Sequence, residues 1–283
     1  MTRRAILLLL ASASAWGAAP QRIVSTTPSI TEILYALGLG DRVVGVTRFC
    51  RYPPDARLKP KIGDYINPNL EAIAALRPDL VIVQTNPVRL GARLATLRLR
   101  SLEVNQENLA ALYNSIRVIG QAADVAPRAD RFAESIRMKL EQVGTRSAGL
   151  TRTRVMFVVG RAPNRLDGLI VVGKASYLSE LIALAGGANV FADAVAAYPQ
   201  ISLEEVLARS PDVIIDFGDM GDAGAATEAH KREVVALWQR VASVKAVKEH
   251  RVFAVAADIF VVPGPRAVDA AQAIFEMLHP GFD

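Results

Sequence analysis

The residues of this chain that could do chemistry are separated by their spacing. His230, His250 and His279 stand far apart, and Cys50 has no histidine near it in sequence. Neither arrangement has the close ligand spacing of a zinc or manganese cage. His279 falls at a helix end, where an imidazolium suits the helix dipole. Cys50 reads as a half-buried bystander thiol, and as the single cysteine it can close no intramolecular disulfide. The sequence has no Gly-x-Ser-x-Gly elbow and no phosphate loop, and Gly38-Leu39-Gly40 lacks the third glycine of a dinucleotide fingerprint. An enzyme, the remote alternative, would need a nucleophile with its base, or paired acids in one motif.

The aromatics and acids are more informative. Phe49, Tyr52 and Tyr65 lie in a stretch broken by Tyr52-Pro53-Pro54, Lys59-Pro60 and Asn67-Pro68, which places them in loops. Tyr198 stands beside Pro199 in the loop before a helix. Loops on a rigid scaffold are where binding residues concentrate. The bland reading is that each ring packs its own loop, and it is strongest at Tyr52. Glu32 and Glu205 each stand three residues after a serine, Ser29 and Ser202, and are expected to close capping boxes. Glu71 and Glu204 sit one residue before that box position, in matching places of two similar segments. Each complements a helix dipole; the duplication also suits a pair of docking residues.

The elements that position these residues come in repeats. Ser29 to Gly38 and Leu178 to Gly187 both carry apolar residues on one helical face and stop at a glycine. Asn69 to Val83 resembles Ser202 to Ile215: a polar cap, a short helix, a Pro-Asp turn and a buried strand of branched residues. Helix, turn and buried strand is the αβ half of a parallel sheet. Between the repeats, Pro127 opens an amphipathic segment marked by Phe132, Ile136, Met138, Leu140 and Val143. It is either a strut between two lobes or one more sheet-covering helix. Further strands are expected at Arg22–Ser25, Val43–Val46, Leu102–Val104, Val155–Val159, Val190–Phe191 and Val252–Ala256, a closing helix at Ala267–Leu278, and a surface loop from Gly218 to Ala229.

Composition narrows the class. Arg3 and Arg4 precede an apolar run from Ala5 to Leu10 and the small residues Gly17-Ala18-Ala19, the order of a secretory signal cleaved after Ala19. The apolar stretch is well short of the roughly 20 residues of a membrane-spanning helix. A chain 51 % apolar can bury a large core without disulfides. The formal charge of +5 comes from arginines scattered among acids, so the basic, aromatic-laced face of a nucleic-acid binder is missing.

In order and spacing, the pieces resemble the periplasmic binding proteins for cobalamin, ferric siderophores and haem. The carriers are Arg22-Ile23-Val24-Ser25 with Pro28-Ser29-Ile30-Thr31-Glu32, Val44-Gly45-Val46-Thr47, Tyr52-Pro53-Pro54, Asn69-Leu70-Glu71, Gly186-Gly187-Ala188-Asn189, Tyr198-Pro199-Gln200-Ile201-Ser202 and Pro263-Gly264-Pro265-Arg266. The resemblance implies a class III periplasmic binding protein: two Rossmann-like αβ lobes joined by a single long helix. It implies a signal peptide at 1–19, an N-terminal lobe at 20–123, the inter-lobe helix at 124–149 and a C-terminal lobe at 150–283. The string from Tyr198 to Pro211 is most similar to the cobalamin-binding members, which implies that Phe49, Tyr65 and Tyr198 touch a corrinoid and that Asp258 is a polar cleft residue. Tyrosines stand at 65 and 198 where those members tend to have tryptophan, and Val261 and Val262 replace polar residues, so haem and ferric siderophores stay open as ligands. The resemblance further implies a soluble periplasmic monomer without intrinsic cofactor or bound metal. It would deliver its chelate to the transmembrane subunits of an ABC permease, with Glu71 and Glu204 as the docking residues.

Overall fold

The computed structural model describes residues 18–85, 89–218 and 227–282. The expected signal sequence lies, but for its last two residues, outside the described residues, as does most of the loop expected from Gly218 to Ala229.

The first half of the chain builds β1 (Ile23–Ser25), β2 (Val43–Val46), β3 (Leu80–Gln84) and β4 (Ser101–Val104) into an all-parallel sheet of order β2-β1-β3-β4. Helices α1 (Pro28–Ala36), α2 (Leu70–Ala75) and α3 (Leu90–Thr96) make its connections, and α4 (Leu109–Ala122) follows β4. Ile23, Val24 and Leu80 to Val83 are buried, as a parallel sheet covered by helices on both faces requires. After α5 (Ala126–Ser147), the second half forms β5 (Thr153–Gly160), β6 (Leu169–Val171), β7 (Gly187–Asn189), β8 (Gln200–Ile201), β9 (Val213–Asp216) and β10 (Val252–Ala254). Their order is β10-β9-β5-β6-β8, with β7 beside β5. Here β9, β10 and β7 run parallel to β5, while β6 and β8 are antiparallel additions. The remaining helices are α6 (Tyr177–Leu184), α7 (Leu203–Arg209), α8 (Glu228–Gln239), α9 (Lys245–Lys248) and α10 (Ala267–Leu278). Two αβ halves around one long helix is the architecture expected from the sequence.

The repeat has a physical cause at the foot of each sheet. The Asp79 carboxylate accepts from the backbone N–H groups of Gln21 and Arg22, at 2.7 and 2.9 Å, and so seats the start of β1. Asp212 does the same for β5, accepting from Arg154 N–H at 3.1 Å. The guanidinium of Arg22 returns to the carbonyl of Leu76 at the end of α2, and that of Arg154 to the carbonyl of Arg209 at the end of α7. Both pairs satisfy carbonyls that a helix end leaves open. Gly38 and Gly186, closing α1 and α6, hold φ of +69° and +81°, a conformation glycine adopts without strain.

Helix α5 spans 22 residues, on the order of 33 Å at 1.5 Å per residue. Ala129, Ala133, Ile136, Leu140 and Val143 form its buried face, which packs on α4 from the first half and on α6 and α10 from the second. Close approach to α4 depends on Gly120, where an added Cβ would stand 2.1 Å from that of Ala129. Met138, expected on the apolar face, is 51 % exposed, because the stripe runs through the small Ala129 and Ala133 instead. No helix among the described residues is long and apolar enough to cross a membrane.

Two further expectations are corrected. Val190–Phe191 is no strand: pairing with β5 ends at Asn189, and Phe191 turns into the core beneath the Arg209 guanidinium, 4.5 Å from its ring centroid. Ser29 and Glu32 form no capping box. The N-cap of α1 is Thr27, whose hydroxyl accepts from Ile30 N–H, because Pro28 fits the first helical position and moves the cap forward. Ser29 is left to donate to Gln106 Oε1 at 2.6 Å. Ser202 and Glu205 do close their box, over α7.

Candidate functional site

Parallel strands deliver their following loops to the carboxyl edge of a sheet, where open α/β folds form crevices. The loop after β2 holds Phe49, Tyr52 and Tyr65, and the turn after β10 holds Asp258.

Cys50 anchors the first loop from beneath. It is buried and lies 3.1 Å from the hydroxyls of both Thr31 and Thr47. Burial pushes its thiol up, so it is a packing group rather than a nucleophile. Above it the Phe49 and Tyr65 rings pair at 5.8 Å between centroids, tilted by 56°, a geometry that aromatic pairs favour. The Arg48 guanidinium sits 4.9 Å from the Phe49 centroid and pairs with Asp64 at 2.9 Å. Asp64 accepts from the N–H groups of Ile66 and Asn67, fixing the turn that presents Tyr65. The Asn67 bond, with those of Ile66 and Arg48, holds the Asp64 carboxyl below its usual range.

Tyr198 comes from the other half and is 45 % exposed. Its hydroxyl accepts from Ser176 Oγ at 3.0 Å, and Ser176 is itself the N-cap of α6. Burial around the hydroxyl pushes the phenol above its ordinary range, against the pull of the Ser176 bond. Tyr177, next along, is buried at the junction. Its N–H donates to the carbonyl of Glu107 in the first half, and its hydroxyl donates to the carbonyl of Phe260 beside Asp258, both at 2.9 Å.

Asp258 is held by Arg266, which reaches its Oδ1 at 2.7 Å. The same guanidinium donates to both oxygens of Glu32, from Nε at 3.0 Å and from a terminal nitrogen. Its carbon lies 4.2 Å from the centroid of the Tyr52 ring. Arg51, Tyr52, Asp258, Phe260 and Arg266 line a cavity of about 630 Å³ to which both halves contribute. Of the four expected ligand contacts, Asp258 lines this cavity; Phe49 and Tyr65 pair with each other and Tyr198 bonds to Ser176, and these three do not line it.

Glu71 and Glu204 are both exposed and both occupy the second position of their helices, after the caps Asn69 and Ser202. Hydrogen bonds from its own N–H and from Ser202 lower the Glu204 carboxyl. Among the described residues, no group of three histidine, cysteine, aspartate or glutamate side chains could hold a metal ion. His279 instead meets the carbonyl of Ala185 at 2.9 Å and the Phe275 ring.

Glu32 and Arg266 are the pair that sequence reasoning missed. One signal was available. Arg266 occupies the N-cap of α10 and makes no capping bond there, and a cation at a helix N-terminus opposes the dipole, which calls for an acid elsewhere.

Residues 23–259 match a family described as periplasmic binding protein. An ABC transporter substrate-binding lipoprotein of Bacillus subtilis is 29 % identical, over 92 % of this chain and 81 % of its own length. The periplasmic vitamin B12-binding protein of Vibrio cholerae superposes with a TM-score of 0.77 at 29 % identity, covering 92 % of this chain and 97 % of that one. A periplasmic haem-binding protein of Roseiflexus gives 0.75 at 26 % identity, covering 92 % and 99 %.

Proposed function

We propose that this chain, which belongs to the periplasmic binding protein family, is the substrate-binding protein of an ABC importer and captures cobalamin or a related corrinoid between its two halves. The observation that supports the ligand class is that each half contributes aromatics held by their neighbours. The Phe49–Tyr65 pair is fixed by Arg48 and Asp64 on one side, and Tyr198 is fixed by Ser176 on the other. Aromatic faces bury much area with few rotatable bonds, which suits a broad, flat macrocycle. Asp258 supplies a polar edge. Likeness to the vitamin B12-binding protein of Vibrio cholerae favours the corrinoid.

Haem is the second reading, favoured by the Arg57 cation at the cavity, which would suit a carboxylate-bearing ligand. In either case the protein binds and releases without turnover, works as an exported monomer, and is organised as an N-terminal lobe at 20–123, the helix at 124–149 and a C-terminal lobe at 150–283. Glu71 and Glu204, one on each half, dock it to the permease.

The test is spectroscopic. Purified protein is incubated with cobalamin, haem or a ferric siderophore and desalted. Retention of the cobalamin spectrum supports the proposal, retention of haem alone supports the second reading, and loss of all three chromophores overturns both.

A further inference from the structure

Arg266 stands where three parts of the molecule meet. Its partner Glu32 lies 234 positions away on α1, in the first half; Asp258 belongs to its own half; and Tyr52 sits on the loop that also carries Phe49. The Glu32 side chain is 2 % exposed and that of Arg266 15 %, so the pair is shielded from solvent. Gly264, just before it, keeps the chain tight against α1: an added Cβ would stand 3.2 Å from the Glu32 carboxylate and 3.5 Å from the Ser29 Cα.

Resting on the reading of this chain as a two-lobed binding protein, we propose that Arg266 is the positioning residue of its cleft. It locks the first half to the second through Glu32 and Tyr52, and by holding Asp258 it sets the wall that meets the ligand. A planar guanidinium is well shaped for such a junction, because its forked donors engage both oxygens of one carboxylate while a third nitrogen serves another and the face stacks on a ring. A lysine ammonium has the charge without that geometry.

Energetics point to the same role. Taking a carboxylate and a guanidinium out of water costs more than their attraction commonly returns, so a buried pair is a weak source of stability. Burial raises the Glu32 carboxyl above its usual range even with Arg266 against it. A pair that adds little stability yet joins two halves at defined angles serves geometry, with the ligand meeting a preformed site.

The test separates geometry from stability. Spin labels are attached at Ala74→Cys and Ala208→Cys, exposed positions on α2 and α7, with buried Cys50 left in place. The distance distribution is measured without ligand in this background, in Glu32→Gln, and in Glu32→Gln with Arg266→Met, which removes the buried pair and leaves only the partly exposed Asp258 without its cation. The expected result is a narrow distribution that broadens in both variants, with a melting temperature in the double variant no lower than that of the background and cobalamin affinity weakened about tenfold. Arg266→Lys should not restore the narrow distribution. An unchanged distribution in the double variant overturns the proposal, as does broadening that occurs only with a lowered melting temperature. The distances need no ligand, so a parent protein that binds no cobalamin would count against the functional reading and leave this result intact.

Discussion

Arg266 and Glu32 meet across 234 positions of chain, one at the entry to the last helix and the other in the first. Their contact spans the two αβ halves, and it draws Asp258 and Tyr52 into one polar cluster at the cavity.

The pH dependence of this pair has a definite sign. Burial raises the Glu32 carboxyl, with Asp258 and Asp269 adding repulsion and Arg266 opposing it. An acid whose folded value lies above its unfolded value binds more protons when folded. Its contribution to stability therefore falls as pH rises through the window between the two values. Urea unfolding of the natural protein and of Glu32→Gln across that window should show the natural protein losing ground to the variant as pH increases. A difference independent of pH contradicts the assignment.

Asp216 should be the costlier acid to remove. It is fully buried, and it accepts from Arg161 Nε at 3.0 Å, from Trp238 Nε1 at 2.6 Å and from Gly218 N–H at 2.7 Å. Asp216→Ala leaves Arg161 without its counter-ion in the core and should destabilise by about 3–5 kcal/mol. Denaturant titration measures this, and a loss within the error of the natural value would show that the site readily admits water.

How much of this could be read from the sequence depends on how local each cause is. The repeat was visible because the caps at Asn69 and Ser202 act within three residues and each Pro-Asp turn is a local pattern, although the bonds of Asp79 and Asp212 reach 57 or 58 positions back; the α10 boundaries followed from local periodicity. Strands β6 and β8, two or three residues long and antiparallel, carry too little pattern to stand out. The roles of Arg266 and Glu32 depend on a contact between distant segments, and Glu32 was claimed instead by a local rule, the capping box, that Pro28 had already displaced. The aromatics were legible as loop residues. Their pairing across the turn fixed by Asp64 was not, because it depends on backbone geometry at Asn67.

Tyr198→Ala should weaken cobalamin binding by about 1–3 kcal/mol, the burial of one large side chain. Ser176→Ala, which frees the Tyr198 hydroxyl and removes the α6 cap, should cost less affinity and some stability. Equilibrium titration monitored by absorbance distinguishes them; identical isotherms for Tyr198→Ala and the natural protein would remove Tyr198 from the site.

The docking assignment predicts a separation of functions. Glu71→Arg with Glu204→Arg should abolish ligand uptake in cells carrying the partner permease, while cobalamin affinity and melting temperature stay near their natural values. Charge pairs of this kind set orientation and encounter more than affinity. Normal uptake by the double variant would leave both residues as complements to their helix dipoles.

The most direct measurement is a crystal structure of the protein with cobalamin. The account predicts one corrinoid between the halves, its ring against Phe49 and Tyr65 on one side and Tyr198 on the other, with Asp258 at its edge still held by Arg266. A corrinoid bound outside the cleft, or one in the cleft that touches none of these aromatics, would contradict it.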